Sequence, residues 1–133
     1  MDKDECKQVV ERLFVAFDAL DERAMSELLT PDFVAHGLPD GFSGDVDGWK
    51  RLAAHWASGF SGDSFAFEDV IAENDRVAVR FSSRGRHTGD FLGVPPSNRT
   101  VTITGIEIYR LVGGRVAEYW GHLDTTDLTG SSG

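Results

Sequence analysis

The last strong hydrophobic run of the chain, "RVAEYWGHLD" at residues 115–124, carries two carboxylates, an imidazole and an indole at alternate positions. Neighbouring side chains of a β-strand point to opposite faces, so Glu118, Trp120, His122 and Asp124 share one face, and Ala117, Tyr119, Gly121 and Leu123 the other. A solvated face accounts for the carboxylates but not for the tryptophan. A buried face accounts for the tryptophan but leaves the charges in need of partners. A wet, aromatic-lined pocket accounts for all four. Taking a proton from carbon next to a carbonyl needs a carboxylate whose pKa lies nearer to neutrality than the reference of about 4. Burial beside aromatic rings raises it in that direction. Asp124 is therefore the first candidate acid/base. His122 is placed to tune it or to bind a substrate oxygen, and Trp120 to act as a flat wall for an aromatic or polycyclic ligand. Glu118 then needs a guanidinium from Arg80, Arg84 or Arg110. The same face is also open to a second reading, as a dimer interface.

The remaining histidines are weighed in the same way. His36 ends an apolar run and precedes Gly37, where it can orient substrate or share a proton with Asp124. His55 falls beside the apolar stripe of a helix, at an exposed position or a pocket edge. His87 opens a long loop and reads as a loop hydrogen bond. The spacings contain no H-x-x-x-H, H-E-x-x-H or thiolate pair, so no metal is expected. Nor is there a nucleotide-binding glycine loop or a G-x-S-x-G elbow.

The elements that must hold these groups come in two blocks. Val9, Val10, Leu13, Phe14, Phe17 and Leu20 follow helical spacing, Asp21 caps a short second helix with Met25, Leu28 and Leu29, and Thr30-Pro31 ends it. A short extended piece, "DFVAHG", leads into a loop bounded by Gly37 and Gly44. Asp45 or Asp47 then starts a third helix with the stripe Trp49, Leu52, Ala53, Trp56 and Phe60. From there the pattern is strands. "SFAFEDVIAE" meets "RVAVRFSSRGRH" across Asn74-Asp75, and "TVTITGIEIYRLV" meets "RVAEYWGHLD" across Gly113-Gly114. Between the hairpins lies the loop "TGDFLGVPPSNR", whose Phe91 and Leu92 need cover and are expected at the pocket mouth. Helices followed by a long antiparallel sheet imply an α+β fold. A sheet that curls around its helices encloses a cone-shaped pocket, in which Phe14, Phe17, Trp49, Trp56 and Phe91 are the expected apolar walls.

Bulk properties narrow the field. The 133 residues suffice for one domain, spanning 1–133, and the tail from about residue 129, TGSSG, is expected to be disordered. A formal charge of −9 disfavours nucleic acid and anionic membrane surfaces as partners. The charged N-terminus, the single cysteine Cys6 and the lack of a long apolar segment suit a cytoplasmic protein.

These residues carry a family resemblance. "DFVAH" at 32–36, "IAENDRVAVRF" at 71–81, "GRHTGDFLGVPPSNRTVTITGIEIYRL" at 85–111 and "GGRVAEYWGHLD" at 113–124 resemble the SnoaL-like polyketide cyclases, or ester cyclases, of the NTF2-like superfamily. The resemblance covers about residues 5 to 128. It implies an NTF2-like cone, a cystatin-like α+β barrel with N-terminal helices packed on a curved antiparallel sheet. It implies a homodimer and a cofactor-free intramolecular aldol condensation on a small hydrophobic or polycyclic carbonyl ligand. In those enzymes an aspartate on the last strand is the acid/base, and by motif position it matches Asp124; the early histidine matches His36. Two further polar pocket positions, a glutamine and a histidine on the preceding strand, fall on Ile108 and Arg110, and this chain departs from the family there. Arg110 beside Asp124 is the one hint of an Asp-Arg-Asp set of the kind NTF2-like epoxide hydrolases use. The alternatives are therefore an NTF2-like isomerase or epoxide hydrolase, and a binding protein that uses the same cone without chemistry.

Overall fold

A computed structural model describes residues 1–130. Helix α1 spans Lys3–Asp18, and Asp2 caps it by accepting from the Glu5 amide at 2.8 Å. It buries Cys6, Val9, Val10, Leu13 and Ala16, while Phe14 and Phe17 sit half-buried on one flank. Leu20, expected on the buried stripe, lies beyond the helix end with positive φ and is 38% exposed. Helix α2, Glu22–Leu28, is capped by Asp21 as expected, and strand β1, Leu29–His36, follows without a gap. Helix α3, Val46–Gly59, starts at the Asp45 cap and buries Trp49, Leu52, Ala53 and Trp56 at helical spacing.

Four strands complete the chain: β2 at Phe60–Glu73, β3 at Arg76–His87, β4 at Thr100–Val112 and β5 at Arg115–Asp124. The sheet order is β1-β5-β4-β3-β2. Both expected hairpins form. The turn between β4 and β5 uses Gly113 and Gly114 at φ of 58° and 80°, left-handed values that glycine adopts without strain. One expectation needs correction: the sheet is mixed, because β1 pairs parallel with β5. The whole of α3 and three strands lie between them, a connection long enough for a parallel pair.

Register shifts in β2, between Ser61 and Ser64 and between Phe67 and Asp69, bend the sheet over the helices. On β4 the inward positions are Val101, Ile103, Gly105, Glu107, Tyr109 and Leu111; Ile106 and Ile108 face out. Two buried clusters result. One lies beneath α1 and the wide end of the sheet, and the other joins Leu52, Trp56, Phe60, Phe91 and Leu128. A 3-10 turn, Thr126–Thr129, buries Leu128 and ends at Gly130. Positions 131–133 of the expected disordered tail lie outside the described residues.

Candidate active site

Between the helices and the concave sheet lies a cavity of about 140 Å³. Phe14, Phe17 and Asp18 of α1 and Trp49, Leu52 and Trp56 of α3 form one side. The sheet contributes Phe65, Phe81, Ser83, Glu107, Tyr109, Tyr119 and Leu123. Phe14, Phe17, Trp49 and Trp56 stand on the cavity wall, and the rings pack edge-on, with Trp49 and Tyr119 centroids 5.0 Å apart.

The wall is apolar except at two places. The deeper one is Glu107, which is only 5% exposed. Tyr109 Oη donates to its Oε1 at 2.6 Å, and Tyr119 Oη donates to its Oε2 at 2.6 Å. Glu107 and Tyr109 are two residues apart on β4 and so share the inward face, while Tyr119 lies directly across from Tyr109 on β5. Loss of hydration pushes the Glu107 carboxyl up to about 7, against the two phenols, which favour its charged form. The same burial, with the Glu107 charge beside them, raises both tyrosines well above their ordinary range, so they remain donors.

The second polar place is the rim, where Asp18 meets Asp63. Partial loss of hydration, then the neighbouring Asp63 charge and a hydrogen bond to it, raise the Asp18 carboxyl. Among the described residues, the cavity wall holds the carboxyl side chains of Asp18, Asp63 and Glu107 and no lysine, arginine or histidine.

The row that opened the sequence reading lies on the other side of the sheet. Asp124 is exposed, and its carboxylate accepts from the Thr126 amide at 3.0 Å and from the Thr126 hydroxyl. Those bonds hold its pKa below the ordinary aspartate value, the opposite of what a base poised near neutrality needs. His122 is exposed beside it. His36 Nε2 donates to Glu118 Oε2 at 2.7 Å, and Arg110 Nε donates to Glu118 Oε1 at 3.0 Å. The expected guanidinium partner of Glu118 is thus Arg110, but the pair sits outside the cone, with the imidazole first and the guanidinium after it lowering the Glu118 carboxyl. Trp120 is stacked on His36 at 5.5 Å, with the Arg76 guanidinium 5.1 Å from its ring. Charged groups and an indole share one face because the charges pair with one another and flank the ring.

Asp124, His36, His122, Trp120 and Arg110 are accordingly not brought to the cavity. Neither are His55 and Phe91. His55 Nε2 accepts from the Leu92 amide at 2.9 Å, and Phe91 is fully buried against Trp56 and Phe60. The loop from Thr88 to Asn98 braces the cavity wall from behind instead of covering its mouth. Tyr119 and Leu123, on the face of β5 opposite that row, point inward. Glu107, Tyr109 and Tyr119 escaped the sequence reading. The available signal was the inward row of β4, in which a single carboxylate interrupts Val101, Ile103, Gly105, Tyr109 and Leu111. Among the described residues, no group of three or more His, Cys, Asp or Glu side chains is placed to hold a metal ion. No described helix is long and apolar enough to cross a membrane.

A cone of three helices and a curved five-stranded sheet, closed around an aromatic cavity with one buried acid, is the frame of an NTF2-like domain. Residues 7–129 match the model of the SnoaL-like polyketide cyclase family, and the chain belongs to that family. It is 28% identical over 118 residues to the nogalonic acid methyl ester cyclase of Streptomyces nogalater, covering 86% of this chain and 81% of the relative. Among solved structures, TsrD from Streptomyces laurentii superposes with a TM-score of 0.85 at 25% identity, covering 96% of this chain and 94% of that one. IdmH from Streptomyces antibioticus superposes at 0.82 and 27% identity, covering 94% and 96%.

Proposed function

We propose that the cavity carries out proton transfer at a carbon next to a carbonyl, with Glu107 as general acid/base, in the cyclisation of an uncharged and largely apolar polyketide-type ester or ketone. One observation carries this reading: Glu107 is set deep in the aromatic wall, where loss of hydration pushes its carboxyl up to about 7. Near neutral pH it is divided between its two forms, the condition under which one group can both take and return a proton. In the reaction the substrate C–H proton moves to the Glu107 carboxylate and the C–H electron pair becomes the double bond of an enolate. The enolate carbon attacks a second carbonyl carbon of the same molecule. That carbonyl oxygen then takes the proton from Glu107, so the carboxylate is regenerated and no co-reactant is consumed. Tyr109 and Tyr119 fix the carboxyl geometry through both oxygens. A wall with no cation among the described residues favours an esterified or otherwise neutral chain over a free acid.

This reading differs from the family-based expectation for Asp124, whose carboxylate faces solvent and is committed to Thr126. The test is turnover of nogalonic acid methyl ester and simpler methyl ketones by the parent and by Glu107→Gln. The amide keeps the shape and one acceptor but cannot act as a base. We expect a loss of at least about a hundredfold. Turnover within about threefold of the parent would remove Glu107 from the mechanism. Ligand binding without any α-proton exchange would instead favour the binding-protein reading, in which Glu107 and its tyrosines only orient a guest.

A further inference from the structure

The rim of the cavity holds polar groups that the proposed chemistry does not use. Ser83 faces inward on β3 and is 91% buried by virtue of a 9% exposure. Its cross-strand neighbours, Phe65 and Ile103, are apolar, and its hydroxyl has no hydrogen-bond partner among the described residues. That hydroxyl opens on the cavity it lines, where a ligand oxygen can meet it. Asp63 leans over the next inward position: its Cβ lies 2.8 Å from where a side chain on Gly85 would begin. Asp18 joins it from the C-terminal end of α1, where the helix dipole disfavours a carboxylate. Neither aspartate forms an ion pair with a described residue, and partial loss of hydration, with the Asp63 charge beside it, raises the Asp18 carboxyl.

These groups lie well away from Glu107. Val79 is the β3 residue opposite Glu107, and Ser83 is four residues further along, roughly 13 Å at a strand rise of about 3.3 Å per residue. Phe81 and Phe14 fill the interval, their rings 5.2 Å apart. The cavity is therefore polar at both ends and aromatic between them.

We propose that Ser83, Asp63 and Asp18 form a second polar subsite that binds a ligand hydroxyl far from the reacting carbonyl and turns away a carboxylate. The Ser83 hydroxyl donates to the ligand oxygen, and an aspartate carboxylate accepts the ligand O–H. The proposal rests on the cavity being the ligand site, and it assigns a specificity: an elongated, apolar carbonyl compound with a hydroxyl at its far end.

The test compares three biphenyl ketones in calorimetric titrations: 4-acetyl-4′-hydroxybiphenyl, 4-acetylbiphenyl, and 4-acetylbiphenyl bearing a 4′-carboxylate. The hydroxyl compound is expected to bind about tenfold tighter than the unsubstituted one, and the carboxylate at least about tenfold weaker. Ser83→Ala combined with Asp63→Asn should bring the hydroxyl preference to near one. Ser83→Ala alone should lower it about threefold, which keeps the test open if the double variant does not fold. Equal binding of the hydroxyl and unsubstituted ketones to the parent, a preference that survives both substitutions, or no binding of any of the three would each overturn the subsite. Deuterium exchange of the acetyl methyl in heavy water, compared between parent and Glu107→Gln, reports on Glu107 separately. A hydroxyl preference without exchange would support the subsite while refuting the acid/base.

Discussion

Gly121 stands directly across from Glu107 in the β4–β5 ladder, and the Tyr119 hydroxyl fills the space that a side chain on Gly121 would occupy. Glycine opposite the acid is what allows the tyrosine ring to fold across the strand and donate to Oε2. A methyl group there would overlap the phenol. Gly121→Ala is therefore expected to displace Tyr119 from Glu107 and to lower thermal stability by about 1–3 kcal/mol through overpacking. The rising limb of the pH–rate profile should move to higher pH, because a phenol that favours the charged carboxyl is lost. An alanine variant with unchanged stability and an unchanged limb would show that the contact is not needed.

The pKa of Glu107 also predicts how stability varies with pH. The folded-state value, about 7, lies above the ordinary glutamate value of 4.5. Between these pH values the folded chain holds a proton that the unfolded chain has released, so stability falls as pH rises across that window and levels off above it. The difference corresponds to about 3 kcal/mol. Glu107→Gln should flatten this part of the curve and be relatively more stable at pH 8 than at pH 5. Denaturant titrations at the two pH values check it, and a variant whose curve runs parallel to the parent's would contradict it.

Asp124→Asn separates the inner acid from the outer row. With its carboxylate on the Thr126 amide and hydroxyl outside the cone, the substitution is expected to leave turnover within about threefold of the parent, against at least about a hundredfold loss for Glu107→Gln. A comparable loss in both variants would require Asp124 to reach the substrate in some other arrangement.

The outer face of the sheet carries a continuous row. Ile71 pairs with Ala78, Ala78 with Ile108, Ile108 with Trp120, and Trp120 with His36. Ile71 is 62% exposed and Ile106, two residues from Ile108 on the same outer face, 63%. A stripe of this kind is a liability in water, and we propose that a second copy of the chain covers it. Sedimentation at micromolar concentration should give a dimer, and Ile108→Lys should give a monomer that keeps its fold. A parent chain that sediments as a monomer would exclude this pairing.

The strands and helix starts were legible because their determinants are local. Alternation set β3, β4 and β5 to their observed ends, glycine pairs and Asn74-Asp75 marked the turns, and Asp21 and Asp45 announced their helices. The direction of β1 was not legible, since its partner lies far along the chain, Leu29 pairing with Val116. Nor was the inside of the sheet. Both faces of β4 carry isoleucine and other apolar residues, so alternation alone does not say which face is enclosed. On β5 the plainer rule, apolar side inward, holds: Ala117 and Tyr119 are buried, while His122 and Asp124 meet solvent. Motif position placed the acid on β5, but the carboxyl enclosed by the cone belongs to β4.

The parallel pairing of β1 with β5 bears on how the molecule comes into being on the ribosome. Leu29 finds its partner only in Val116, and His36 only in Trp120. The three antiparallel junctions join strands that follow one another in the chain and can form as each is made. β1 must wait, its edge unpaired, until β5 has been synthesised. Contacts of such long separation slow the search for the native state. The β1–β5 pair therefore cannot form before β5 exists, and a nascent chain halted before residue 115 would present a bare strand edge to its neighbours.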